Sequence, residues 1–197
     1  MTGAQIFRIG LWAVVALVCG ATLAVYLSQS TTAPTSPEAA YGSPFRLVDQ
    51  NGAVITEAAL RGRPSAVFFG FTHCPDVCPT TLSELAAKKA ALKAEKKDLN
   101  VVFVTVDPER DTPAVMKDYV GAISPDIVGI TGEPAAITDM LKGWGVHAAK
   151  VGEGADYTMD HTASTFLLDS AGRFAGTIAW GENPKTADEK LERLASL

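Results

Sequence analysis

Residues 65–71 read Ser-Ala-Val-Phe-Phe-Gly-Phe, a run with no charge and no polar alternation. A strand of this kind is buried on both faces, so its sheet must be covered on each side. The run leads into Cys74-Pro75-Asp76-Val77-Cys78-Pro79. Beyond it, Leu82, Leu85, Lys89 and Leu92 fall at helical spacing among lysines and glutamates. The spacing predicts an amphipathic helix over 79–97. A buried strand, a loop with two cysteines and a helix therefore form the centre of the chain.

The remaining elements follow from periodicity and punctuation. Residues 101–106 make a second buried strand that ends in Asp107-Pro108. Asp111-Thr112-Pro113 opens a helix, with Thr112 as N-cap and Pro113 at the first helical position. Residues 127–130 form a short strand, and 134–144 a helix ended by Gly143 and Gly145. Residues 165–169 and 174–178 make a hairpin, and a charged helix over 184–196 closes the chain. In front, 45–48 and 53–55 flank Asp49-Gln50-Asn51-Gly52, a hairpin signal. The expected fold class is α/β, a thioredoxin-like fold with an added N-terminal β-hairpin. Sites in open α/β sheets lie at the carboxyl ends of strands, where the cysteine loop falls.

Residues 9–27 contain no charged side chain, close to the ~20 residues that cross a bilayer as a helix. Arg8 precedes them, and the next basic residue is Arg46. The positive-inside rule then places residues 1–8 in the cytoplasm and the rest outside. The expectation is one transmembrane helix at 9–27, a flexible Thr/Ser/Pro/Ala-rich linker at 28–43 and a globular domain at 44–197. A cleaved signal peptide, processed near Ser28-Gln29-Ser30, is the rival reading. Cys19 is read as a membrane-embedded apolar side chain. With 47% hydrophobic and 20% charged residues the chain suits a globular protein. A net charge of −5 and no Lys/Arg-rich run argue against a nucleic-acid partner.

Apart from Cys19, both cysteines lie in one motif, which argues against a disulfide framework. Pro75 and Pro79 bias Cys74 and Cys78 away from helical geometry. The helix should start at Pro79, leaving Cys78 near its N-cap, where the positive helix end favours a thiolate. Two such sulfurs can bond to each other or converge on one metal ion. Thioredoxin-type redox sites are normally spaced C-x-x-C, whereas three residues intervene here. Redox enzymes of this fold also usually carry a cis-proline loop facing the cysteines. The equivalent stretch, 157–165, has no proline but has His161. Two thiolates and an imidazole suit Cu(I), and added ligands accommodate Cu(II). Zinc would need a fourth ligand or a water.

Asp160 adjoins His161 and either orients it or is a solvated carboxylate. Asp76, inside the loop, and Asp107, at a strand end beside it, are further candidates for partners of the ligands. His73, His147 and Met159 are weighed as ligands and read instead as outward-pointing, surface and packing residues. Asp111 is assigned to helix capping, and Trp144 and Trp180 to core or rim. The lysines at 88, 89, 93, 96 and 97 form a solvated helix face or a docking surface for an acidic partner.

Three segments resemble one family. The stretch Phe69-Gly70-Phe71-Thr72-His73-Cys74-Pro75-Asp76-Val77-Cys78-Pro79-Thr80-Thr81 is similar to the signature of the Sco/SenC copper proteins. Asp107-Pro108-Glu109-Arg110-Asp111-Thr112-Pro113 resembles their second motif and Tyr157-Thr158-Met159-Asp160-His161-Thr162 their third. The resemblance covers about residues 41–197. It implies a metallochaperone that delivers copper, as Cu(I) or Cu(II), to the Cu(A) centre of cytochrome c oxidase. It implies Cys74, Cys78 and His161 as ligands, and the copper-bearing oxidase subunit and a periplasmic copper donor as partners. It also implies a single-pass anchor in the inner membrane with the domain in the periplasm. Two alternatives stay open. One is a thiol-disulfide reductase, with Cys74 and Cys78 as catalytic redox thiols that keep the oxidase cysteines reduced. The other is a copper or redox sensor.

Overall fold

The computed structural model describes residues 2–30 and 41–196. It divides into two compact units, Met1–Ala39 and Ala40–Leu197. The first contains one helix, α1 (Gly3–Ser30). The span expected at 9–27 lies inside it, although several of its side chains fall outside those described. Among the described residues, no helix is long and apolar enough to cross a membrane. Of the expected linker, residues 31–40 lie outside the described residues, and 28–30 continue α1.

The second unit runs β1 (Arg46–Asp49), β2 (Val54–Thr56), a 3-10 turn (Glu57–Leu60), β3 (Ser65–Gly70), α2 (Val77–Ala94), β4 (Asn100–Thr105), α3 (Pro113–Ile123), β5 (Ile127–Thr131), α4 (Pro134–Trp144), β6 (Ala148–Val151), β7 (Thr158–His161), β8 (Ser164–Leu168), β9 (Phe174–Ala179) and α5 (Pro184–Leu194). Seven strands form one sheet in the order β2-β1-β5-β4-β3-β8-β9. The β3–β4 and β4–β5 pairs are parallel, and the flanking pairs are antiparallel. This is the mixed α/β thioredoxin-like layout, with the expected hairpin β1–β2 on one edge.

The apolar run at 65–71 is explained by its place. β3 is central, and all six of its residues are buried. Successive side chains point to opposite faces. Phe69 meets Trp144 of α4, with ring centroids 5.3 Å apart. Phe68 stacks on Phe103 of β4 at 6.3 Å. Gly70 lies beneath Cys78, where a Cβ would stand 2.7 Å from the sulfur. A larger residue than glycine would therefore displace the buried cysteine.

Three features differ from the sequence expectation. First, α2 starts at Val77 rather than at Pro79, and ends at Ala94. Proline is tolerated in a first turn because its missing N–H has no intrahelical partner there. Burial of Cys78 at 0% exposure holds it helical despite the following proline. Second, the hairpin β6–β7 was not expected. Its four-residue strands are largely exposed and carry no apolar run to reveal them. Third, Tyr41 belongs with the domain. Its N–H donates to the Gly172 carbonyl (2.9 Å), and its ring packs on Phe174 (4.7 Å) and edge-on to Trp144 (5.3 Å). Other expectations match closely. Thr112 caps α3 by accepting from the Val115 N–H, and Gly145 ends α4 at φ 65°.

Candidate metal centre

The cysteine loop runs from the end of β3 into α2. The Cys74 N–H donates to the Phe71 carbonyl at 3.2 Å. The Cys78 N–H, in the first turn of α2, donates to the Cys74 sulfur at 3.4 Å. Asp76 is the N-cap residue, yet its side chain makes no capping bond. The positive end of the helix is thus turned toward Cys74. This corrects the expectation of a thiolate favoured at Cys78. Burial pushes the Cys78 thiol well above its usual range, and a hydrogen bond from the Phe71 backbone only partly opposes it. Both cysteines are free thiols, Cys74 half-buried and Cys78 buried.

His161 ends β7 and reaches the same place from the other side. Its Nε2 lies 3.9 Å from the Cys78 sulfur. Its Nδ1 is 3.1 Å from the Thr162 carbonyl. A carbonyl only accepts, so Nδ1 carries the proton and Nε2 presents its lone pair to the sulfur. The ring stands edge-on to Phe71 (5.8 Å) and Phe68 (6.3 Å). Burial holds its pKa below the ordinary histidine value, which keeps the imidazole neutral. A neutral imidazole with a fixed tautomer is the form that binds metals.

The structure thus brings Cys78 and His161 together. Cys74 adjoins them through the Cys78 N–H. Among the described residues, no three His, Cys, Asp or Glu side chains are already gathered closely enough to hold an ion. The donor set of two sulfurs and one imidazole still fits a soft cation such as Cu(I).

The carboxylates divide differently from expectation. Asp160 is 70% exposed and points across the hairpin, 3.8 Å from Nε2 of His147. Its neighbour in the strand faces inward, so the period of two turns Asp160 away from the site. Its charge still opposes the lowering of the His161 pKa. Asp76 is exposed and accepts from the Thr80 hydroxyl at 3.4 Å. Asp107 is buried at 2% exposure, but it binds Arg110 and the Tyr157 hydroxyl rather than a candidate ligand. His73 contacts the Thr72 hydroxyl (3.1 Å) and is half-exposed. Met159 packs against the core, Trp144 is in it, and Trp180 is 45% exposed. Lys88, expected on a solvated face, instead ties α2 to Asp188 and Glu192 of α5.

Sequence reasoning missed Asp111, Arg110, Tyr157 and Tyr119. Asp111 is fully buried below the cysteine loop, and burial raises its pKa despite three hydrogen bonds. Among the described residues, the buried Tyr119 hydroxyl has no hydrogen-bond partner. Its pKa is raised by burial first and then by the charge of Cys78 and Cys74. The regular spacing of acids in 107–111 was the available signal for Asp111, but capping explained it equally well.

Comparison with known proteins agrees with the geometry. The profile of the SCO1/SenC family matches residues 33–196. An SCO2-like protein of Rickettsia prowazekii is 38% identical over 164 residues, covering 77% of this chain and 80% of its own. The structure of Bradyrhizobium japonicum ScoI with copper bound superposes with a TM-score of 0.71 at 44% identity, covering 79% of this chain and 99% of that one. BsSco, a member of the Sco family of cytochrome c oxidase assembly proteins in which a disulfide switch was identified, aligns with a TM-score of 0.63 at 25% identity, covering 80% and 95%. The sulfur and imidazole that meet at the end of β3 are therefore carried by a chain that belongs to the SCO1/SenC family.

Proposed function

We propose that this protein is a copper-binding assembly factor that carries copper to the Cu(A) centre of cytochrome c oxidase, with Cys74, Cys78 and His161 as the ligands. The observation that carries the proposal is the 3.9 Å approach of His161 Nε2 to the Cys78 sulfur, with Nδ1 committed elsewhere. Two sulfurs beside one neutral imidazole form a donor set that suits a soft cation. The copper bound to ScoI supports the choice of metal, and the oxidase assembly role of the BsSco family supports the client.

The buried Cys78 thiol holds its proton until a soft cation displaces it, so binding releases protons and strengthens as pH rises. Cys74, half-buried in the loop before α2, is the sulfur that an incoming donor or a client meets. In the same proposal, residues 9–27 anchor the chain in the inner membrane, with the domain in the periplasm. A tether raises the effective concentration of the domain at a membrane-bound client.

A thiol-disulfide reductase is the second reading. It is favoured by the Cys74 sulfur, half-buried at the positive end of α2. Complementation separates the two. In cells that need this chain to build the oxidase, the copper reading predicts that His161→Ala abolishes the Cu(A) absorption as fully as Cys74→Ala. Full activity of His161→Ala beside inactive cysteine variants would favour the reductase.

A further inference from the structure

β6 and β7 form a two-stranded sheet of their own, outside the seven-stranded sheet. An isolated hairpin is marginally stable in water. Yet this hairpin carries His161, and the cysteines sit on a separate loop. Something must hold the two in register.

We infer that the turn 107–111 is a clamp that fixes both halves of the site, and that Arg110 and Asp107 are positioning residues for His161. This inference rests on the reading of His161 as a ligand. On the cysteine side, the Asp111 carboxylate accepts from the Thr72 N–H (3.0 Å), the Thr72 hydroxyl (2.6 Å) and the Thr105 hydroxyl (2.6 Å). Its backbone carbonyl accepts from the Thr131 hydroxyl (2.6 Å). Thr72 lies two residues before Cys74, so the loop is tied to the ends of β4 and β5.

On the histidine side, the turn grips Tyr157, the residue just before β7. The Tyr157 hydroxyl donates to Asp107 at 2.6 Å. Nε of Arg110 donates to the other oxygen of Asp107, and Nη1 of Arg110 donates to the Tyr157 carbonyl at 2.9 Å. The guanidinium lies 3.6 Å from the centre of the Tyr157 ring and 6.0 Å from that of Phe71. Phe71 in turn is edge-on to His161 at 5.8 Å. Arg110 therefore stands between the strand that brings the histidine and the strand end that brings the cysteines. Only a planar, forked cation can bond to Asp107 and the Tyr157 carbonyl while lying on a ring. A lysine supplies the charge without the fork.

Two measurements on the reduced full-length protein test the clamp. The first is hydrogen exchange of the metal-free protein. Arg110→Gln and Arg110→Lys should speed exchange of the β6–β7 amides about tenfold or more, with β3 still protected. Unchanged exchange in the hairpin would overturn the clamp, as would equal loss of protection throughout the domain. Tyr157→Phe, which removes only the hydroxyl, should give a smaller effect in the same place. The second is a double-variant cycle in copper affinity. Arg110→Gln should weaken copper binding about tenfold, the low end of what loss of a group bonded to a ligand costs, because Arg110 reaches His161 only through Tyr157 and Phe71. Combined with His161→Ala it should add nothing further. Losses that multiply would show that Arg110 does not act through His161. Wild-type affinity in His161→Ala would defeat the ligand reading, and the exchange result would still decide the clamp.

Discussion

The backbone N–H of Cys78 donates to the sulfur of Cys74 at 3.4 Å, so the thiol that meets the start of α2 is the upstream one. The two cysteines of one motif are thereby made unlike. Cys74 is half-buried, whereas Cys78 is closed in between α2 and β3. In the reduced, metal-free protein, iodoacetamide should alkylate Cys74 well before Cys78, because the thiolate is the nucleophile and access limits it. Peptide mass spectrometry after a short pulse reads the order. Labelling of Cys78 first would contradict the assignment.

Burial of Cys78 and His161 gives stability a pH dependence at both ends. The folded Cys78 pKa is raised. Above the unfolded value of about 8.5, the unfolded chain loses a proton that the folded chain keeps, so stability falls as pH rises. The folded His161 pKa is lowered. Below the unfolded value of about 6.5, the unfolded chain gains a proton that the folded chain refuses, so stability falls as pH drops. Urea unfolding of the metal-free protein across pH should show Cys78→Ser flattening the alkaline limb and His161→Gln the acid limb.

Gly70→Ala probes the floor of the site. The new Cβ would stand 2.7 Å from the Cys78 sulfur and 2.9 Å from the Phe103 ring. Overpacking of this kind costs about 1–3 kcal/mol. Urea denaturation should show that loss, and copper affinity should fall with it because the sulfur is moved. Wild-type copper affinity in a folded Gly70→Ala variant would show that the sulfur adjusts freely.

Asp111→Ala leaves the Thr72 N–H and the Thr72 and Thr105 hydroxyls without their acceptor. Each unsatisfied buried group costs about 1–3 kcal/mol. The Thr72 hydroxyl also meets Nδ1 of His73 at 3.1 Å and can turn to it, so a loss of about 3 kcal/mol is expected in urea denaturation. Asp111→Asn should lose less, since it keeps one acceptor oxygen. A neutral outcome for Asp111→Ala would mean that the cysteine loop does not depend on it.

Tyr41 is packed into the folded domain. A chain starting at Pro44 loses its hydrogen bond to Gly172 and its packing on Trp144, Phe166 and Phe174. Aromatic pairs contribute about 0.5–1.5 kcal/mol each beyond their burial. A chain starting at Ala40 should therefore melt several degrees above one starting at Pro44, as circular dichroism would record.

Much of this arrangement was legible in the chain before its structure. The apolar run of β3, the N-cap at Thr112 and the glycine stop after Trp144 are local signals, and local signals survive folding. Cys74, Cys78 and His161 stood out as candidates because their residue types carry the chemistry, and the approach of His161 to Cys78 agrees with that choice. The β6–β7 hairpin was not legible, since its short, partly exposed strands lack apolar alternation, and the turn signal of Gly152 and Gly154 between them had no strands to join. The environment of Cys78 was misjudged because helix polarity is local, whereas burial beneath β3 is a property of the assembled sheet, and burial is the larger effect here. Arg110 and Tyr157 stand 47 residues apart, and no pattern in sequence joins them.

The most direct test is an anaerobic Cu(I) titration of the reduced full-length protein against a competing chelator, beside Cys74→Ala, Cys78→Ala and His161→Ala. One copper per chain is expected, with affinity falling sharply in all three variants. His161→Ala binding copper as tightly as the wild type would contradict the three-ligand centre.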